Sequence, residues 1–192
     1  HKATLSRSDT SPDAVVAVKV QHVGIESVMR ADLQALDWVT RIIAWSEPEY
    51  NFGPLMAEWR RQAILELDFC REHENVNIVA SGLNDNGDFH VWVPTTVDGV
   101  EPAKEMMVLQ YANDSIKVTE VDILRRHGVD FDDLLNDITE AFAHQMFHIG
   151  VFSGDPHPGN ILVELPSDLN GNKARPVLLD FGLVSNLLHS DS

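Results

Sequence analysis

Gly154-Asp155-Pro156-His157-Pro158-Gly159-Asn160-Ile161-Leu162, followed fifteen residues later by Val177-Leu178-Leu179-Asp180-Phe181-Gly182, decides how the rest of the chain is read. The apolar runs Ile161 to Val163 and Val177 to Leu179 read as two short strands, and Asn170-Gly171 between them is a hairpin turn signal. Asn160 then precedes one strand and Asp180 closes the other. Pro156, Pro158 and Gly159 stiffen and turn the backbone, so that Asp155 and Asn160 can face one cleft.

An Asp, an Asn five positions on and a later Asp-Phe-Gly match the carboxylate and amide set of a kinase-type phosphoryl-transfer site. Such transfer needs neutralised phosphate charge and an aligned acceptor oxygen, with little covalent work for the protein. Magnesium takes hard oxygen ligands, commonly one or two carboxylates beside phosphate oxygens. Asp180 and Asn160 suit the metal, and Asp155 suits the acceptor's proton. Either fragment alone is also compatible with a rigid surface loop. Their order, with a hairpin between them, favours the catalytic reading.

Upstream, Val15-Val16-Ala17-Val18-Lys19-Val20 is an apolar run of the kind that forms a buried strand, with one Lys inside it. A buried ammonium needs a counter-charge or a ligand, unless its stem lies flat and its head snorkels to water. The run matches the V-A-I-K strand whose Lys holds nucleotide phosphates and a helix Glu. Residues 26 to 45 carry Val28, Leu33, Leu36, Val39, Ile42 and Ile43 at helical spacing. Pro48 and Asn51 to Pro54 break that helix, and a second is expected from Leu55 to Val76. It includes Glu66-Leu67-Asp68-Phe69, Glu72 and Asn75. Glu66 and the acidic residues around it are candidates for pairing with Lys19, although charge runs are usually solvated faces.

Strands are expected at His1 to Leu5, with a turn ending in Ser11-Pro12-Asp13, at Phe89 to Val93 after the turn Asn84 to Asp88, and at Met106 to Tyr111. Ala112-Asn113-Asp114 reads as a lobe boundary. Helices follow from Thr119, a plausible N-cap, to His127, and from Phe131 to Ile149, with Gly128 and Gly150 as stops. His144 and His148 have metal-ligand spacing, but Gln145 stands where a zinc-protease motif needs Glu, which favours packing.

The balance of 14 Lys and Arg against 30 Asp and Glu, a formal charge of −16 over 192 residues, argues against nucleic-acid binding. No apolar run is long enough for a transmembrane helix. The single Cys70 leaves no intramolecular disulfide framework.

Taken together, the chain resembles the UbiB/aarF-domain family of atypical, protein-kinase-like proteins. The resemblance runs through Val16-Ala17-Val18-Lys19-Val20-Gln21, Glu66-Leu67-Asp68-Phe69-Cys70-Arg71-Glu72-His73-Glu74-Asn75, the loop from Asp155 to Leu162, and Leu179-Asp180-Phe181-Gly182. It implies an α+β, protein-kinase-like two-lobed fold, incomplete at both ends, with an N-lobe over 1–111 and the start of a C-lobe over 112–192. It implies ATP with Mg2+ (or Mn2+) as cofactors and an atypical kinase or ATPase serving isoprenoid-quinone metabolism. Lys19 would be the nucleotide lysine, Glu66 the helix glutamate, Asp68 its acidic companion, and Glu72 and Asn75 family-motif residues. Asp155 and Asn160 would form the catalytic loop, and Asp180 would be the main metal ligand. Gln110 to Ala112 would lie at the adenine-binding hinge, with Leu109 near the gatekeeper position.

The family's K-x-G-Q helix and alanine-rich loop are not present before His1-Lys2-Ala3-Thr4-Leu5, so the chain reads as a fragment. Ser153-Gly154 stands where relatives often carry His-Ala. Quinone-pathway lipids or enzymes and a membrane surface are the implied partners, in bacteria, mitochondria or plastids. A small-molecule phosphotransferase of the aminoglycoside or choline kinase type and a non-catalytic nucleotide-binding scaffold are the alternatives.

Overall fold

A computed structural model describes residues 1–6, 13–47, 49, 52–84, 87–165, 173–182 and 184–186. Strands β1 (Lys2–Leu5), β2 (Ala14–Val20) and β3 (Met106–Gln110) form an antiparallel sheet in the order β1-β2-β3. The register pairs Lys19 with Met107 and Ala17 with Leu109. Because strand side chains alternate, Ala17 and Lys19 share one face. Val16 is buried, whereas Val15 and Val20 are exposed. The apolar run is thus an unevenly covered strand rather than a fully buried one.

Between β2 and β3 the chain makes three helices, α1 (Ile25–Ser46), α2 (Gly53–Leu65) and α3 (Phe69–Asn84). A single helix over 55–76 was expected; the structure divides it at Glu66-Leu67-Asp68. The cause is local. Asp68 accepts a hydrogen bond from the Cys70 amide at 3.0 Å, satisfying a donor that a helix start leaves orphaned. Gln21 reinforces the break by donating its side-chain amide to the carbonyls of Leu67 and Lys104. Helix α3 then runs eight residues past the expected end.

Helices α1 and α2 pack on each other but bury few apolar side chains. Leu33 and Met56 are buried, while Trp38, Trp45 and Trp59 are 66%, 85% and 57% exposed.

The chain passes to a second antiparallel sheet between Gln110 and Ser115. Its order is β4 (Ser115–Lys117), β6 (Ile161–Glu164), β7 (Arg175–Leu178), and β6 and β7 form the expected hairpin, with Ile161 opposite Leu178. A two-stranded ribbon joins β5 (Val151–Ser153) to β8 (Val184–Asn186). Phe89–Val93 is not a strand. It contributes one parallel bridge, Trp92 with Val177. The ladder ends there because the Asn84 side chain takes both the N–H and the C=O of Val93, at 3.0 and 2.9 Å. The expected turns at Ser11-Pro12, Asp85-Asn86 and Asn170-Gly171, with Pro48 and Asn51, lie outside the described residues.

Helix α4 (Val121–Arg126) is shorter than expected, and Thr119 does not cap it; Glu120 precedes the first turn. Helix α5 (Phe131–His144) starts on Asp130, whose carboxylate accepts from the amides of Asp132 and Asp133. Its last turn widens into a π-helix, Gln145–Ile149, ended by Gly150 at φ 75°. His144 and His148 stack at 4.9 Å, and His144 also meets Phe89. The pair therefore packs as rings.

The core joins α3, α5 and the second sheet. Val76, Val79, Ala80 and Leu83 meet Val91, Val93, Ala141, Ile161, Leu178 and Phe181. Each fully buried Val, Leu, Ile or Phe among them contributes about 1.5–3 kcal/mol. Gly82 lets α3 approach the π-helix, since a Cβ there would collide with the Ile149 side chain. No helix among the described residues is long and apolar enough to cross a membrane.

Candidate active site

The face of α3 turned to β2 carries Glu72, and the end of β7 delivers Asp180 to the same place. Lys19 Nζ donates to both carboxylate oxygens of Glu72, at 2.6 and 2.7 Å, and stands 3.5 Å from Asp180 Oδ1. Glu72 is 3% exposed, Lys19 34% and Asp180 42%. The ammonium also sits 5.1 Å from the Phe69 ring centroid. Glu66, expected as the partner of Lys19, does not make that pair. The break at Glu66–Asp68 puts Glu66 before α3 and leaves Glu72, on its first turn, facing the lysine.

Lys19, Glu66, Glu72, Asp155 and Asp180 nevertheless line one cleft of about 180 Å³. Four carboxylates face one ammonium there. Burial holds the Glu66 carboxyl above its usual range, helped by Asp180 and Asp155. Burial also raises Glu72, opposed by the Lys19 charge and its hydrogen bond.

Asp180 has φ 63°, a left-handed conformation that Asp tolerates better than most residues. Its Oδ1 accepts from the Gly182 N–H at 3.1 Å. The chain then turns Phe181 into the core, where it is 2% exposed, while Asn75 donates its side-chain amide to the Phe181 carbonyl at 2.9 Å. One dipeptide thus places a carboxylate in the cleft and an anchor behind it.

The loop before β6 is held by its own hydrogen bonds. His157 donates its backbone N–H to the Asp155 carbonyl at 2.7 Å, and Gly159 donates to His157 Nδ1 at 2.9 Å. The Leu179 N–H reaches the Asn160 carbonyl at 2.8 Å, tying the loop to the residue before Asp180. The Asn160 side chain donates to the Asp155 carbonyl at 3.4 Å and lines a narrow recess beside the cleft, which Asp155 also borders. Asp155 thus belongs to both hollows, and Asn160 stands one step back from Lys19.

Leu109, Gln110 and Ala112 lie at the end of β3 and just beyond, outside the lining of this cleft. The Gln110 N–H donates to the Thr95 carbonyl, and its side chain accepts from the Thr95 N–H. Asp68 caps α3, and Asn75 binds Phe181, as described. Sequence reasoning missed Ser153. Its hydroxyl donates to the Asp180 carbonyl at 3.2 Å, and its place two residues before Asp155 was the available signal.

A larger hollow of about 480 Å³ lies beside Trp92, Asn113 and Arg175. Its cations are already paired, Arg175 with Glu164 and Lys173 with Asp137. Among the described residues no group of three or more His, Cys, Asp and Glu is arranged to hold a metal unaided. The cleft instead fits an ion that takes one or two protein carboxylates and completes its shell with phosphate oxygens and water, as Mg2+ does. Asp180, with Asn160 behind it, is the set that could hold one.

Comparison with known proteins places the chain in a family. The family described as ABC1 atypical kinase-like domain covers residues 1–191. The Drosophila melanogaster AarF domain-containing kinase 1 is 30% identical over 97% of this chain and 34% of its own length. The Dictyostelium discoideum probable serine/threonine-protein kinase abkB is 29% identical over 97% of this chain and 27% of its own. The chain therefore spans about a third or less of these relatives. Among solved structures, Rv3197 of Mycobacterium tuberculosis, in complex with erythromycin, superposes with a TM-score of 0.69 at 25% identity, over 96% of this chain and 43% of that one. The α+β architecture is thus protein-kinase-like. With a family match running from the first strand to the ribbon after Asp-Phe-Gly, the chain belongs to the ABC1 atypical kinase-like family.

Proposed function

We propose that this chain forms the nucleotide-handling cleft of an atypical kinase or ATPase that uses ATP and Mg2+. The observation that carries the reading is Lys19, paired with buried Glu72 and facing Asp180 across the cleft. A lysine already oriented by one carboxylate presents a fixed positive charge to phosphate oxygens. Binding then costs little rearrangement. Asp180, with Asn160 behind it, would hold the divalent ion, which neutralises phosphate charge when bound. Asp155, exposed at the rim, would orient the acceptor hydroxyl or water and receive its proton. Leu109 to Ala112 would flank the adenine, between lobes divided at residues 111 and 112.

The excess of carboxylates supports this role for a cation. Glu66 is pushed toward its protonated form by burial first and then by Asp180 and Asp155, and a divalent ion bound there would offset the part that comes from those two charges. By family resemblance the acceptor chemistry belongs to isoprenoid-quinone metabolism. The erythromycin complex of Rv3197 favours a second reading, a hydroxyl-bearing small molecule as ligand or acceptor. The test is phosphate release by the full-length protein, wild type against Asp180→Asn, with ATP and Mg2+. Loss of at least about a hundredfold is expected for a group acting on transition-state charge. Equal rates would remove Asp180 from the mechanism.

A further inference from the structure

We infer that Ser153, held by Gln145, is a positioning residue for Asp180; this rests on the reading of Asp180 as the carboxylate that faces the ion. Three observations converge on Ser153. Its hydroxyl donates to the Asp180 main-chain carbonyl at 3.2 Å, although the two residues lie 27 positions apart. It is 6% exposed, so water competes weakly for that bond. It pairs in register with Val184 in the β5–β8 ribbon, so the strand carrying it also fixes the chain leaving Asp-Phe-Gly.

Asp180 needs such support because its φ of 63° is disfavoured for a residue with a Cβ. One neighbour fixes its carbonyl, while the Gly182 N–H fixes its carboxylate. Remove the first, and the peptide after Asp180 is free to rotate, taking the carboxylate away from the Lys19 side of the cleft.

Gln145 supplies the next link. It is fully buried in the π-helix, and its Oε1 accepts from the Ser153 N–H at 3.4 Å. Its Nε2 has no hydrogen-bond partner among the described residues. A buried, half-satisfied amide is a poor choice for packing, where Met would fill the same space without an orphan donor. Its presence there fits a task at the site, and π-helical turns are frequent where backbone geometry serves a function.

The experiment uses the full-length protein and two readouts. The first is ATP binding by calorimetry as Mg2+ is varied. Ser153→Ala should raise the Mg2+ needed for half-saturation about tenfold, the loss of one aligned hydrogen bond, while Ser153→Thr, which keeps the hydroxyl, stays near wild type. Gln145→Met should raise it about threefold while the thermal midpoint holds or rises, a split that a purely structural role would not give. The second readout needs neither metal nor nucleotide. Exchange of the Gly182 amide should quicken about tenfold in Ser153→Ala, with amides of α3 unchanged. A folded Ser153→Ala that matches wild type in both overturns the proposal, and so does Gln145→Met matching wild type should Ser153→Ala fail to fold. Absence of Mg2+-dependent ATP binding by the wild type would instead sink the reading of the cleft, and this proposal with it.

Discussion

Asn75 donates its side-chain amide to the carbonyl of Phe181, 106 positions later, at 2.9 Å. Glu72, three residues earlier and one turn along the same face of α3, holds Lys19. A single helix therefore grips the lysine of the first sheet and the Asp-Phe-Gly of the second, and any tilt of α3 moves both. Asn75→Ala should lower stability by about 1–2 kcal/mol through the orphaned carbonyl. It should also weaken ATP binding by the full-length protein, whereas Asn77→Ala, on the exposed side, should do neither. Chemical denaturation and nucleotide titration of both variants check this.

Lys19→Met leaves the Glu72 carboxylate buried without its partner, which should cost about 3 kcal/mol at neutral pH. Burial already raises the Glu72 carboxyl, and loss of the ammonium raises it further. A raised carboxyl binds its proton more readily folded than unfolded, so stability returns as pH falls through the folded value toward the ordinary glutamate value of about 4.3. The gap between wild type and Lys19→Met should accordingly narrow from pH 7 to pH 4 in urea titrations. A gap independent of pH would show that the loss comes from packing.

Glu66 carries the same sign without an ion-pair partner among the described residues. Held above its usual range by burial and by Asp180 and Asp155, it destabilises the fold at neutral pH and less in acid. Glu66→Gln should raise the thermal midpoint by about 2 °C at pH 7, a small effect because the group is partly solvated. Near pH 4 the two proteins should melt together. A Glu66→Gln protein melting below wild type at pH 7 would contradict the cause assigned here.

Phe181 is the anchor behind Asp180. Phe181→Ala opens a cavity among Val76, Val79, Ala80 and Leu178, at a cost of about 3–5 kcal/mol. Phe181→Leu, which refills most of it, should cost less than about 1.5 kcal/mol. Denaturant midpoints distinguish the two.

Gly159 tests the loop proposed to be catalytic. A Cβ there would lie 2.7 Å from His157 Nδ1, the atom that accepts the Gly159 N–H. Gly159→Ala must displace that ring and the turn leading to Asn160. Phosphate release by the full-length protein should fall roughly tenfold to a hundredfold, with the thermal midpoint little changed.

The site was legible where chemistry and spacing coincide. Lys19 in its strand, Asp155 and Asn160 flanking a stiff turn, and Asp180 at the end of a hairpin strand each have a local signature, and Lys19, Asp155 and Asp180 meet in one cleft. The choice between Glu66 and Glu72 was not legible. It depends on Asp68 acting as a cap within an unbroken helical pattern, and six residues further on the chain faces another way. The Phe89–Val93 strand failed for a similar reason, since the side chain that ends its ladder, Asn84, lies outside the alternating run. The apolar periodicity of α1 marked a helix correctly but overstated its burial, because Val28, Leu36 and Ile42 stay exposed. Ser153 and Gln145 carried no pattern of their own; their significance rests on tertiary neighbours.

The indole side chains of α1 and α2 have a spectroscopic consequence. Of the four tryptophans in the chain, Trp38, Trp45 and Trp59 stand largely in water on that helical pair, and none of the four lines the Lys19 cleft. Intrinsic emission from this chain should therefore be red-shifted and report mainly on α1 and α2. A quench on adding nucleotide would signal that these helices move when the cleft fills.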